Sequence, residues 1–224
     1  MSIKIINENP HLLKMWIDNE KEAQKRYAQE NPDSLLPSFE QELRDLGFSF
    51  AIRSQVKGFL PKHKKTILPI AFRYYQLAKE QKRFNELNYF LGLLGFKGFD
   101  DIITQLITDY YSQETPDLSR WCISDCLYRI SSRKFVDEYL DIVINKDFGT
   151  NRRLIVLILG KLKEERAIPT LINLLEDEEV RLQAINALGD FKREEFRCYF
   201  ERFQNSKHPG WRKYAKAALK KLNS

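Results

Sequence analysis

One short segment of the sequence combines residue types that can act together on a charged ligand. Trp121 and Asp125 stand four residues apart, so on a helix they would share one face. Arg152 and Arg153 follow as a pair further along the chain. A carboxylate can stabilise a developing positive charge, and arginine side chains can hold phosphate. The same residues also fit the surface of ordinary helices, so both interpretations stay open.

The sequence lacks the motifs of the common enzyme classes. It contains no GxxxxGK[ST], GxGxxG, GxSxG or HExxH pattern. Nucleotide binding, serine hydrolysis and zinc proteolysis therefore lack their usual loops. These motifs give no support to an enzymatic function.

Two cysteines have a spacing that metal ligands can use. Cys122 and Cys126 stand four residues apart and could bind a metal from one helix face. Besides Cys198, only three histidines are present to complete such a site: His11, His63 and His208. Free cysteine usually behaves as a small buried apolar residue, and we expect neither a structural metal nor a cofactor. An odd and sparse set of cysteines also favours reduced thiols.

A repeated helical pattern surrounds these residues. Each copy places apolar residues at the third, sixth, seventh and tenth positions after its first residue, which forms one stripe along an α-helix. A weaker copy at Leu87 lacks the tenth position. The separations between copies are 33, 32, 29 and 31 residues, counted from starts at Leu87, Arg120, Arg152, Arg181 and Arg212.

A second amphipathic segment follows each of the first four copies. These segments cover residues 101–111, 134–144, 166–176 and 194–204. Two helices in each repeat of about 30 residues predict an α-solenoid, in which neighbouring helix pairs bury their apolar stripes against one another. Gly160 and Gly189 fall where a first helix is expected to turn into a second.

The stretch from Asn151 to Phe191 resembles the HEAT repeats common in bacterial proteins, through its AIPTLINLLED and VRLQAINALG segments. The resemblance implies an all-α, right-handed solenoid of two-helix repeats. It also implies that the acid ending one unit faces the arginine opening the next, as Asp177 with Arg181 and, less closely, Asp147 with Arg152. The arginine would then hold repeats together and would not bind a ligand.

The first 85 residues have helical patterns without the period. We predict that residues 1–85 form an atypical helical cap continuous with the repeats of residues 86–224, in a single elongated domain. The cap should begin with a helix after Asn9 and break at residues 31–37.

Two further helices are predicted in the cap. One should start at Ser38, which forms a capping-box pattern with Gln41, and stop at Gly47. The next contains Pro69, which should kink the helix or mark its start.

The net charge of +6 on 224 residues is unevenly distributed. Residues 61–86 hold seven basic side chains against two acidic ones, and residues 192–222 hold ten against three. Two basic zones could flank a groove for a polyanion or an acidic protein. They also fit solvated outer helix faces.

The sequence gives no sign of a membrane segment. No stretch approaches the run of about 20 apolar residues that spans a bilayer, and the start lacks the pattern of a signal peptide. We expect a cytoplasmic protein without membrane association.

Aromatic residues interleave with Lys and Arg along several predicted helices. Such a pattern can form a stacking surface for single-stranded nucleic acid, but aromatic stripes at helical spacing more often form core. We favour core packing for this set: Tyr74, Tyr75, Phe84, Tyr89, Phe90, Tyr110, Tyr111, Phe196, Tyr199, Phe200 and Phe203.

The W-x-x-x-D pair of Trp121 and Asp125, followed by a repeat that begins with two arginines, is similar to a pattern in DNA alkylation-repair glycosylases, which are built from HEAT-like repeats. This similarity implies a DNA-binding, base-excising protein. Asp125 would be the catalytic group, Trp121 an aromatic support and Arg153 a phosphate clamp. No second tryptophan occurs in the next two repeats.

Our preferred hypothesis is a non-enzymatic scaffold that binds a macromolecular partner, most simply a protein, on a concave face formed by the second helices. The alternative is a DNA-binding protein that uses the two basic zones. Candidates for polar contact lie on or beside the second helices and outside the apolar stripe: Arg133, Lys134, Asp137, Glu165, Arg166, Arg193, Arg197 and Arg202.

Overall fold

The computed structural model describes residues 10–222 as twelve α-helices joined by short turns and 3-10 segments, with no strand in that range. The predicted cap residue Asn9 lies outside the described residues. The chain divides into two compact units, Met1–Leu94 and Gly95–Ser224. This boundary differs from the predicted one after residue 85, because the helix assigned to the first repeat belongs to the first unit. The single elongated domain stays a prediction.

Four helices build the first unit. Its core joins Phe39 to Tyr74 and Phe90, with ring centroids 5.4 and 5.2 Å apart in edge-to-face geometry, an arrangement that aromatic rings favour. All three side chains are buried. The helices are α1 (Pro10–Glu30), α2 (Leu35–Asp45), α3 (Val56–Glu80) and α4 (Phe84–Leu94).

Helix α2 begins three residues earlier than the sequence predicts. The Ser34 side chain accepts a hydrogen bond from the Leu36 amide and caps the helix, so the capping box predicted at Ser38 is wrong. Pro37 falls in the first turn, where backbone N–H groups have no intrahelical acceptor. The missing N–H of proline therefore costs no hydrogen bond. The predicted stop at Gly47 is confirmed, since Gly47 has φ +88° directly after the helix.

Helix α3 is longer than predicted and contains both Pro61 and Pro69. Its backbone leaves the helical region at His63 (φ −122°, ψ 21°) and not at Pro69. The helix therefore continues through Pro69, and the expectation that Pro69 starts or kinks it is wrong. The irregular turn follows Pro61 directly.

The second unit contains four second helices and the four first helices that follow them. The second helices are α5 (Ile103–Tyr111), α7 (Val136–Ile144), α9 (Ile168–Asn173) and α11 (Arg197–Glu201), each preceded by a 3-10 turn. The first helices are α6 (Asp117–Ile130), α8 (Arg153–Leu162), α10 (Arg181–Phe191) and α12 (Pro209–Leu222).

The first helices stack on one another, and each second helix packs against the first helix that follows it. The predicted apolar stripe is buried; in α8 it comprises Ile155, Ile158, Leu159 and Leu162. The all-α repeat fold is therefore as predicted.

The glycines of the first helices have a different role from the one predicted. Gly160 and Gly189 lie inside α8 and α10 and do not form the turns. A Cβ on Gly160 would lie 2.5 Å from Ala187 Cα, and one on Gly189 would lie 3.0 Å from Ala218 Cβ. These glycines allow the next first helix to approach closely.

The turns themselves use residues that are unusual in a left-handed conformation. Ser131, Lys163 and Lys192 follow α6, α8 and α10 with φ of 48°, 50° and 55°. A side chain in this region costs about 1–2 kcal/mol relative to the right-handed conformation. Nothing in these residue types predicts such turns, which glycine usually occupies.

The arginine that opens each repeat binds carbonyl groups at the end of the preceding segment. Arg120 donates to Tyr110 O at 2.9 Å and to Ser112 O at 3.0 Å. Arg181 donates to Leu175 O at 2.6 Å, and Arg212 donates to Ser206 O at 2.6 Å. Helix ends and turns leave such carbonyls without intrahelical partners, so these guanidinium groups bind carbonyls at or just after the ends of the preceding helices.

Arg152 is the most deeply buried of these arginines, with none of its surface exposed. Its guanidinium donates to Val143 O at 3.1 Å and Gly149 O at 2.9 Å. It also bonds the carboxylates of Asp177 and Glu179, near the end of the repeat that Arg152 opens, each at 2.9 Å. Five charge-bearing or polar groups from three segments thus meet at one site.

The acid–arginine pairings implied by the HEAT resemblance are wrong in register. Asp177 pairs with Arg152 and not with Arg181, because Arg181 turns to the carbonyls behind it. Asp147 is exposed, and the described contacts of Arg152 do not include it. Arg152 does connect two repeats, because it bonds carbonyls of the preceding repeat and carboxylates at the end of its own.

Replacing Gly160 with Ala should lower the free energy of unfolding by about 1–3 kcal/mol, because the added methyl group overlaps the Ala187 backbone. Gly58→Ala provides the control, since a Cβ there meets nothing within 4 Å and alanine favours the helix by up to about 1 kcal/mol. Urea unfolding of both variants measures the difference. Equal stability of the two variants would contradict the close packing.

Removing the Arg152 side chain should lower the free energy of unfolding far more than removing the Arg153 side chain. Arg152→Leu strands the Asp177 carboxylate and should lower the free energy of unfolding by about 3–5 kcal/mol. Arg153→Leu changes an exposed residue with one bond to Glu179 O and should cost about 0.5 kcal/mol or less. Chemical denaturation of both variants tests this contrast.

Candidate interaction surface

The residues predicted to contact a partner lie in a series of ion pairs along the second helices. We call this series the charge ladder. It joins residues about one repeat apart, so each pair crosses from one repeat to the next. Its pairs are Asp100–Lys134, Arg133–Glu164, Asp137–Arg166, Glu165–Arg193 and Glu176–Arg202.

The first half of the ladder lies where α7 and α9 begin. Arg166 NH1 lies 2.8 Å from the Asp137 carboxylate, and Arg166 Nε lies 3.1 Å from Glu164. Arg133 NH1 lies 3.7 Å from Glu164. Lys134 Nζ lies 3.6 Å from the Asp100 carboxylate. Three predicted contact residues of α7 and its 3-10 turn thus face charges of the neighbouring repeats.

The second half follows α9 to α11. Arg193 lies 2.5 Å from Glu165, and Arg202 lies 2.6 Å from Glu176. Arg197 is different, because it pairs with Glu194 three residues earlier in its own turn. The hydrogen bond from Arg197 lowers the pKa of the Glu194 carboxyl. The structure therefore brings seven of the eight predicted residues into the ladder.

The ladder forms a charge-balanced surface. Most of its side chains are exposed, from 39% for Arg193 to 79% for Asp137, whereas Asp100 and Glu164 are 27% and 15% exposed. Exposed pairs of this kind stabilise a fold weakly, because water and salt screen them. A surface with both signs of charge at defined positions favours recognition of a complementary partner over stability.

An opening of about 300 Å³ lies beside the ladder at the ends of α7 and α9. Two apolar residues, Ile144 and Leu174, line it together with polar and charged ones: Lys146, Arg152, Thr170, Asn173, Glu176 and Asp177. Ile144 is 60% exposed, which is unusual for a large aliphatic side chain. Sequence reasoning missed this residue, because Ile144 matches the apolar stripe of the segment 134–144 and looks like core.

The three residues of the glycosylase hypothesis contact different neighbours. Asp125 pairs with Arg129 on its own helix at 2.9 Å. Arg153 Nε donates to Glu179 O near the end of the same repeat, and Trp121 is 48% exposed. Within residues 10–222, no hydrogen bond or ion pair joins the three to one another. A catalytic role for them stays a prediction.

The three cysteines are free and differ in burial. Cys126 is buried, Cys122 is partly buried and Cys198 is exposed. Burial raises the pKa of the Cys126 thiol to about 12. No group of three or more His, Cys, Asp or Glu side chains suited to a metal occurs in the described range.

The basic zones belong to different units, residues 61–86 to the first and residues 192–222 to the second. In α12, Ala215 and Ala218 are buried, whereas Lys213, Lys216 and Lys220 are exposed. A search of the described helices for a segment long and apolar enough to cross a membrane found none.

Most of the aromatic set forms core, as we favoured. Tyr74, Tyr75, Phe90, Tyr110, Phe196, Phe200 and Phe203 are buried. Phe84, Tyr89 and Tyr199 are partly buried, and Tyr111 is 39% exposed. Tyr111 packs against Phe148, with ring centroids 5.2 Å apart. The aromatic residues therefore do not form a continuous stacking surface.

Stacked helix pairs with capping arginines define a helical-repeat protein. Residues 136–220 match a family described as HEAT repeats. Together with the helix pairs, this match identifies residues 136–220 as HEAT repeats. A comparison with curated proteins gave no match.

The thiols should react with Ellman's reagent in three steps. Cys198 should react first because it is exposed, and Cys198→Ser should remove the fast step. Cys122 should react more slowly, and Cys126 only after denaturant unfolds the chain, because a buried thiol of high pKa forms little thiolate. Fast reaction of Cys126 in the native protein would show that α6 opens readily.

Proposed function

We propose that this protein is a non-enzymatic scaffold that binds a protein partner along its second helices, the side that we take to be concave. The charge ladder carries this proposal. Nearly every basic side chain predicted to contact a partner has a carboxylate beside it. Nucleic-acid affinity depends on cations that neutralise phosphates, so a balanced surface favours a protein with its own charges of both signs.

The exposed Ile144 provides an apolar centre for such a contact. Protein interfaces usually combine a few buried apolar or aromatic anchors with a polar rim. Ile144 and Leu174 line the opening beside α7 and α9, and Glu176 lines it as well. Glu176 pairs with Arg202 of the ladder. The exposed apolar side chain of Ile144 and the charge ladder therefore lie side by side.

Ile144→Glu should abolish partner binding without unfolding the protein, because the side chain is exposed. Leu118→Glu is the matched control, since Leu118 is 63% exposed on the first helix α6. Both variants and the wild type would be used for affinity capture from cell extract, with quantitative mass spectrometry of the captured proteins. The partner should be retained by Leu118→Glu and lost with Ile144→Glu.

Two outcomes would contradict the proposal. One is a partner set that responds equally to both substitutions. The other is tight binding of duplex DNA by the purified chain, with the steep loss of affinity between about 50 and 200 mM salt that phosphate contacts produce. In that case, testing Asp125→Ala for loss of base release would be the next step.

A further inference from the structure

An open groove in the first unit lies outside the charge ladder. It has a volume of about 440 Å³, within the range of about 300–1,000 Å³ typical of ligand sites. The groove lies between the turn that follows α2 and the first half of α3. Its lining comprises Leu46, Gly47, Phe48, Ser49, Phe59, His63 and Thr66.

The walls of the groove are mainly apolar and partly open to solvent. Leu46 is 54% exposed at its rim. Phe48 packs against Phe59 with centroids 5.4 Å apart, and against His63 at 5.1 Å with the rings nearly perpendicular. The rings hold one another in place and leave a concave apolar space. Such a space suits an inserted side chain.

The segment that forms most of this space is rich in basic residues. Residues 46–79 contain seven Lys or Arg and no Asp or Glu. Arg53 and Arg73 pair with the α2 carboxylates Glu40 and Glu42. Lys62 and Lys65 are exposed on the same turns of α3 as His63. Within residues 10–222, no ion pair involves these two lysines.

The acidic residue nearest in sequence, Asp45, offsets only part of the positive charge of residues 46–79. Asp45 precedes Leu46 and accepts a hydrogen bond from Gln41 at 2.8 Å. One exposed carboxylate therefore adjoins in sequence a segment that carries Lys62 and Lys65, for which the described range shows no ion pair. The local field favours an acidic ligand.

We propose that this groove docks an acidic segment of a partner protein, with one large apolar side chain in the groove and carboxylates beside Lys62 and Lys65. Ring geometry favours a peptide over single-stranded nucleic acid. Bases stack on open ring faces, whereas Phe48, Phe59 and His63 meet at steep angles and enclose a space. The site lies in the first unit and does not depend on the second-helix surface.

Selection of short random peptides by phage display on the immobilised full-length chain tests this proposal. Enriched sequences should combine Asp or Glu with a single Leu, Phe or similar residue. Their affinity, measured by fluorescence polarisation, should fall about tenfold or more in Lys62→Glu/Lys65→Glu, since like charges would then face each other. It should fall by a similar factor in Leu46→Ser, which removes an apolar contact.

A charge-matched control separates a specific groove from general attraction. Lys213→Glu/Lys216→Glu makes the same change in net charge on α12 and should leave the affinity unchanged. All variants alter exposed residues, and circular dichroism would verify their folding. Ile144→Glu should also bind the peptides normally, which distinguishes this site from the ladder.

Three results would overturn the proposal. The first is the absence of any enriched peptide, and the second is enrichment of sequences without acidic residues. The third is affinity that is insensitive to both groove variants. Tighter binding of an oligo-dT strand that competes with the peptides and requires Lys62 and Lys65 would assign the groove to nucleic acid instead.

Discussion

The second unit depends on a charge that water does not reach. The Arg152 guanidinium is fully buried, and transfer of an ion from water into a protein interior costs several kcal/mol. Here the cost is offset by two backbone carbonyls of the preceding repeat and two carboxylates near the end of its own. No single repeat supplies all four partners, so this arginine is satisfied only when two repeats are in register.

The first helices are held at both ends by different means. At their starts, arginines cap the carbonyl groups of the segment before, and Arg181 also lies over the Trp211 ring at 4.2 Å. Near their ends, Gly160 and Gly189 allow backbones to approach at Ala187 and Ala218. Polar bonds set the position of each first helix along the stack, and close apolar packing sets its distance from the next first helix. The second helices and the turns beside them contribute the exposed residues of the charge ladder.

Periodicity predicted the helices well because one apolar stripe recurs in each repeat, and burial of that stripe is what stacks the helices. Side-chain contacts that depend on neighbouring repeats could not be predicted from periodicity. Arg152 and Arg181 each open a repeat, yet only Arg152 reaches the acids at the far end of the repeat that it opens. The ladder did leave a signal, since Asp137 and Arg166 have opposite charges one repeat apart. Ile144 gave no such signal, because a large apolar residue at the end of an apolar stripe is normally expected to be buried.

The site of Arg152 also limits how sequences of this kind can diverge. Its acceptors come from the turn before α8 and the turn before α10, so an insertion or deletion in either turn would displace an acceptor from a charge that has no access to solvent. Loop lengths there should stay fixed through evolution. The exposed side chains of the second helices bear no such constraint, so the same stack can change its binding specificity by point substitution alone.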